Sequence, residues 1–530
     1  MFDLILEDAH IIDGSGQPAF RGSIGIRDGS IIKVGDLAAE TAAGRVDLHG
    51  LAVAPGFIDS HTHSEISLLA RPGAEPKARQ GVTTEILGNC GFSAFPLAAS
   101  SRDAYINYAQ PIFGHPQIAW DWPDWDGYAA RLARAGIGVN VATLIGHGAL
   151  RSAVMGLENR APSGAELERM KALVAAAMQS GAFGLSTGLA YVPGIYSDID
   201  ELAELVSVVG SHGGLYATHV RDQVDGLVAS VEEALEIGRR ARTPVLISHH
   251  KAVGSRNFGK VELTLSMLDT ARSHGLATYS DMYPYIAGMS TMTSVLPPWV
   301  LEGGLPAMLV RIADPGVRQQ IARDIDTGLA GWENRIKAVG WNNIVITTVN
   351  TDGNRDLEGL TLADAATQRG KPHLALLLDL LLEEGGKVGR ITRGSCDEDM
   401  VRVLQHEHTM IGSDAIDADK AHPRQYGTFP RVLGEMVRER RLLSLETAVH
   451  KMTGLTARTF GLADIGLIEA GRRADLVVFD PALIKDAATY AEPRCFPAGI
   501  EAVMVGGVWS VRDGRLTGQL NGRVLRKRAA

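Results

Sequence analysis

Cysteine is scarce, with three in 530 residues. So few cannot staple a secreted scaffold, and the expectation is a reducing, cytoplasmic setting. An excess of positive charge is also missing. Lys and Arg number 52 against 61 Asp and Glu, a formal net charge of −9. That balance argues against nucleic-acid or anionic-membrane partners, which call for a basic footprint; the short basic end at residues 523–528 reads as a solvated tail. No apolar run is long enough to span a membrane, and Met1 does not open a signal peptide. Glycine is plentiful, at 60 residues, and with many Ala-rich amphipathic stretches it suits an α/β enzyme rich in turns.

At this length one ordinary domain is too small, although barrels exceed the usual range. The first fifty residues read as short strands (Phe2–Leu6, Gly22–Arg27, Ile31–Val34) between turn signals at Asp13-Gly14 and Asp28-Gly29. The same texture returns at Ala474–Phe479 and Ile500–Val505. Two β-rich ends around a long middle predict one small β-sandwich domain built from residues 1–54 and 466–530. The middle, residues 55–465, alternates strands and helices. Its candidate strands are Ala52–Ile58, Val82–Leu87, Val139–Ile145, Phe183–Ser186, Leu215–His219, Pro244–Ser248, Ala277–Asp281 and Met410–Ser413. Eight such strands predict a closed (β/α)8 TIM-like barrel with its site at the C-terminal strand ends. The long gap between the last two predicts an insertion over about 287–348 that caps the mouth.

Residues able to carry chemistry gather at those strand ends. His61-Thr62-His63 follows the first strand, and residues two apart share a face in extended backbone. Cys90 follows the second in Gly88-Asn89-Cys90-Gly91, His219 closes the fifth, His249 the sixth, and Asp414 the eighth. Each alone has a bland reading: a buried small thiol, a hydrogen-bonded histidine, a helix N-cap. Six metal-type residues at the ends of five strands point instead at one common centre. His250 alternates away from His249 and is expected to face elsewhere. Gly184-Leu185-Ser186-Thr187-Gly188 matches the serine-hydrolase pattern, but no helix start follows it, so Ser186 is not expected to be a nucleophile.

The run Pro55–His63, with Gly466–Asp480 near the other end, resembles the signatures of the amidohydrolase superfamily. Within it the chain is most similar to the N-acyl-D-amino-acid deacylases (D-aminoacylases), through Gly88–Gly91, Gly184–Gly194, Tyr216–Arg221, Ser248–Lys251, Leu296–Gly303, Met410–Asp414 and His422–Arg431. The fourth strand carries no lysine in Ala182–Gly194, where hydantoinase-like members place a carboxylated one. The resemblance implies a tight zinc held by Cys90, His219 and His249, and a weaker second site from His61, His63 and Asp414 with Cys90 shared. It implies Asp414 as the catalytic proton carrier, and Lys251, Tyr283, Arg424 and Tyr191 as binders of a small N-acyl-D-amino acid. Residues 287–300 hold no Lys or Arg, which suggests neutral or hydrophobic side chains in the substrate. A cyclic-amide hydrolase on the same barrel and a non-catalytic scaffold are the alternatives; loss of chemistry should erode the ligands, yet all six are present.

Overall fold

The protein is described from a computed structural model over residues 1–114, 116–418 and 420–528. The two ends of the chain build one nine-stranded sheet. Its members include Phe2–Ile11, Phe20–Arg27, Ser30–Gly35, Ala52–Pro55, Leu476–Phe479 and Ile500–Val505. Ala52–Pro55 runs antiparallel to Leu476–Phe479 and joins the two halves. Instead of the two separate layers of a sandwich, hydrogen bonding is continuous through all nine strands. The sheet also curls back, because the turn at Asp28-Gly29 is bonded to residues 471–474. Apolar side chains from both halves (Leu6, Ile24, Leu476, Met504) meet in a core of its own.

The expected strand Ala52–Ile58 is divided at Gly56. Ala52–Pro55 belongs to the sheet just described, and Phe57–Asp59 opens the barrel. The barrel strands are Phe57–Asp59, Val82–Leu87, Asn140–Thr143 with Ile145–Gly146, Gly184–Gly188, Leu215–His219, Val245–Ile247, Thr278–Met282 and Thr409–Ile411. All pair in parallel. The ring closes where Asp414 N–H donates to His61 O at 2.7 Å and His63 N–H to Ala415 O at 3.0 Å. Ile58, Ile86, Ala142, Leu144, Ala217, Leu246 and Met410 fill the barrel interior, so the lumen is packed core and chemistry is left to the mouth.

Over that mouth lies the insertion. It contains an antiparallel three-stranded sheet, Ala287–Thr291, Gly389–Arg393 and Ile344–Thr348, with the second of these in the centre. The central strand lies beyond residue 348, where the sequence places the end of the insertion. Its pairing partners are more than 40 residues away along the chain, a distance no local pattern spans.

Candidate active site

The first strand ends at Asp59, so His61 and His63 sit just beyond it and not within it. Their rings lie 5.6 Å apart at 75°. Three of the other four candidates occupy left-handed backbone: Cys90 at φ 54°, His249 at 37° and Asp414 at 47°. Non-glycine residues seldom adopt this conformation, which costs about 1–3 kcal/mol each. Here it turns a strand-end side chain inward over the lumen. Gly88 makes the Cys90 turn possible, since a Cβ there would lie 2.0 Å from Leu144 O.

Two donor groups result, sharing Cys90. One is His61, His63, Cys90 and Asp414; the other is Cys90, His219 and His249, with each group's ligand atoms within 4.8 Å of one another. Cys90 Sγ lies 3.3 Å from both His61 Nε2 and His249 Nε2. Asp414 Oδ1 lies 3.3 Å from His63 Nε2 and 3.6 Å from His61 Nε2. A tetrahedron built from ordinary Zn–S and Zn–N bonds has a donor–donor edge of about 3.5 Å. Both His219 nitrogens and His63 Nδ1 are buried without a hydrogen-bond partner among the described residues. Buried polar atoms are rarely left so. The donor chemistry, spacing and orphaned nitrogens together fit a thiophilic divalent ion.

Electrostatics prepare the ligands differently. Burial, with Lys251 adding to it, holds His219 and His249 well below the usual histidine range, in the neutral form that binds metal. Burial also pulls down His61, but Asp281 and Cys90 outweigh it and hold it well above that range. Burial pushes the Asp414 carboxyl up; Arg424, the His63 hydrogen bond, His61 and His249 together overcome it and keep Asp414 well below the carboxylate range.

The ligands open onto a narrow cavity of about 30 Å³, lined by His63, Cys90, His219, His249 and Asp414 together with Tyr191, Lys251, Tyr283, Ser290, Arg335 and Arg390. Tyr191 Oη bonds Ser290 Oγ at 2.8 Å, and its ring meets His219 edge-on. Lys251 Nζ donates to His249 O at 2.8 Å and lies 5.0 Å from the Tyr283 ring centroid, while Tyr283 Oη has no partner among the described residues. Arg424 differs from the expectation. It is wholly buried behind Asp414, with Nη1 2.9 Å from Asp414 Oδ2, and is not part of the cavity wall. His250 turns away and pairs with Thr264 at 2.8 Å. Ser186 accepts from Gly91 N at 3.0 Å and donates to Gly88 O, a brace for the Cys90 turn with no base beside it.

Several site residues escape a reading of the sequence. Asp281 lies one residue before the end of the seventh strand, accepting from His249 N at 2.6 Å and lying 3.2 Å from His61 Nδ1. Its place at a predicted strand end was the available signal. Gln223 pairs with His249 Nδ1 at 3.1 Å and accepts from Arg335 Nη2 at 3.1 Å. Arg335 and Arg390 come from the insertion, and they change the basis for expecting a neutral subsite. Residues 287–300 carry no cation, but the strand paired with them does.

Fold and site thus define a (β/α)8 barrel with a two-part His/Cys/Asp donor cluster at its C-terminal mouth. The amidohydrolase family model matches residues 45–511, and the chain belongs to that family. It is 39% identical over its full length to the D-aminoacylase of Alcaligenes xylosoxydans xylosoxydans, covering 98% of that protein. To the N-acyl-D-aspartate deacylase of the same organism it is 38% identical, over 97% of this chain and 93% of that one. The N-acyl-D-glutamate deacylase of Bordetella bronchiseptica, solved with zinc and a phosphonate mimic of the tetrahedral intermediate, is similar at TM-score 0.83 and 34% identity, covering 99% of both chains.

Proposed function

We propose that the protein hydrolyses the amide bond of N-acyl-D-amino acids, giving a carboxylate and a free D-amino acid. The observation that carries this reading is one cavity in which a zinc-type donor set, a buried carboxylate and an uncompensated lysine meet. Relatives with this activity align over nearly the whole chain.

Cys90, His219 and His249 would hold the tight zinc ion, with His61, His63 and Asp414 offering a weaker second position beside the shared thiol. Bound there, zinc supplies Lewis acidity to an amide carbonyl and acidifies water. Asp414 takes the proton of the attacking water and returns it to the departing amine. Arg424 fixes the carboxylate's orientation through Oδ2 and leaves Oδ1 facing the histidines. Lys251 and the free Tyr283 hydroxyl bind the substrate α-carboxylate, the charge-assisted pairing an ammonium favours. Tyr191, held by Ser290, walls the cavity beside His219.

Among the described residues no helix is long and apolar enough to cross a membrane. The three cysteines are all unpaired, which supports a cytoplasmic reaction on a small-molecule substrate. The test is amine release by zinc-loaded protein from a panel of N-acetyl D- and L-amino acids, with hydantoins as controls. Turnover confined to D-isomers is the expected result. Turnover of hydantoins alone, or indifference to a chelator, would overturn the reading.

A further inference from the structure

We propose that Arg390 forms an anion subsite in this cavity, so that the preferred substrates carry a second carboxylate on the D-amino acid side chain, as N-acyl-D-aspartate and N-acyl-D-glutamate do. The inference rests on the deacylase reading and adds the substrate class to it.

The placement of Arg390 follows from sheet register. Gly389–Arg393 pairs antiparallel with Ala287–Thr291, and Arg390 lies directly opposite Ser290. Residues opposite one another project from the same face. Ser290 lines the cavity and bonds Tyr191, so Arg390 lines it too. The residue as a whole is 2% exposed. It donates from Nε to Thr291 O at 3.1 Å and from Nη2 to Ser294 Oγ at 2.9 Å, and Nη1 bonds Thr392 Oγ1. Every one of these acceptors is neutral, and no ion pair among the described residues includes Arg390. Three of the five guanidinium N–H groups are used, which leaves two.

The other charges nearby are balanced. Arg335 is clamped by Glu333, with Nε–Oε2 and Nη2–Oε1 both at 2.8 Å. Asp414 is matched by Arg424. Lys251 and Arg390 are therefore the two cationic side chains on the cavity wall without a counter-charge. A buried unpaired cation is costly in a medium of low polarisability, and burial together with Arg335 pulls Arg390 down to about 9. With the α-carboxylate held by Lys251 and the Tyr283 hydroxyl, Arg390 is left without an anion. The second cation on the same cavity wall calls for a second anionic group, which an acidic side chain of the substrate supplies. Overall identity does not settle the matter: relatives acting on different side chains lie at 39% and 38%.

The test compares kcat/KM of the zinc-loaded enzyme for N-acetyl-D-Glu, N-acetyl-D-Asp, N-acetyl-D-Met and N-acetyl-D-Leu, in wild type, Arg390→Met and Arg390→Lys. The wild type should favour the acidic pair. Arg390→Met should lose about 10- to 100-fold on that pair, mainly through KM, the value of charge-assisted hydrogen bonds, so that the ratio of acidic to neutral kcat/KM collapses. Arg390→Lys should recover part of the loss. A wild-type preference for D-Met or D-Leu, or an equal fall on all four substrates with a lowered Tm, would make Arg390 a brace of the cap sheet and sink the subsite. Absence of release from every acyl-D-amino acid would instead remove the deacylase reading itself, and the subsite with it.

Discussion

Two buried polar clusters sit side by side where the first and eighth barrel strands meet, and they are finished in opposite ways. In one, the Lys77 ammonium donates to Thr62 Oγ1 at 2.8 Å, Ser413 Oγ at 2.7 Å and Asp59 Oδ2, so all three of its protons are used. Asp59 also accepts from Ser413 N at 2.7 Å and Ser413 Oγ at 2.6 Å. In the other, one residue along from Ser413, Asp414 faces histidines whose nitrogens are partly orphaned. Both clusters are almost wholly removed from solvent. The first spends its polar groups on one another and locks the closure of the ring. The second keeps donor atoms aimed at a common point, with three strained backbone residues holding them there. Burial alone does not mark a functional site; a convergent set of metal-type donors with orphaned nitrogens does.

Removing the shared thiol should break this contrast most severely. Cys90→Ala, or chelation of the wild type, should reduce amine release to background, with bound zinc followed by elemental analysis. Without metal, His219→Ala should unfold at close to the wild-type temperature, because both of its ring nitrogens lack a partner among the described residues. Asp414→Asn should keep zinc yet lower kcat by about 10²–10⁴-fold, the usual contribution of a positioned proton carrier; a fall in KM alone would contradict that role.

Lys77→Met tests the other cluster. It strands the Asp59 carboxylate and should cost about 3–5 kcal/mol of stability, seen in denaturant unfolding, while activity per folded molecule stays near wild type. The smallest effect concerns Asp222, on the loop that carries Gln223. Burial and then Glu333 push its carboxyl up to about 6. A raised carboxyl binds more protons folded than unfolded, so its contribution to stability falls as pH rises from about 4 through 6. Asp222→Asn should flatten that slope between pH 4.5 and 7.5 in urea unfolding, and an unchanged slope would assign it to other groups.

Much of this molecule was legible along the chain. Val82–Leu87, Leu215–His219 and Ile500–Val505 stand where their apolar runs place them, because a strand's side-chain alternation is a local property. The six donor residues were legible for the same reason, as polar residues of metal-binding type following such runs. Nothing in the apolar run marks Gly56 as the point where it passes from one sheet to another. The left-handed turns at Cys90, His249 and Asp414 were also hidden, as no residue type there demands them.

Short-range periodicity and residue chemistry along the chain encode the barrel strands, the strands of the sheet from its two ends and the six candidate donor residues. Which charges share the cavity is set by contacts between distant parts of the chain. Those contacts set Arg424 behind Asp414, Asp281 beside His61, and Arg390 opposite Ser290, a hundred residues away along the chain. Whether a buried charge is answered or left waiting depends on neighbours brought together by ring closure and cap pairing, and no local pattern records those neighbours.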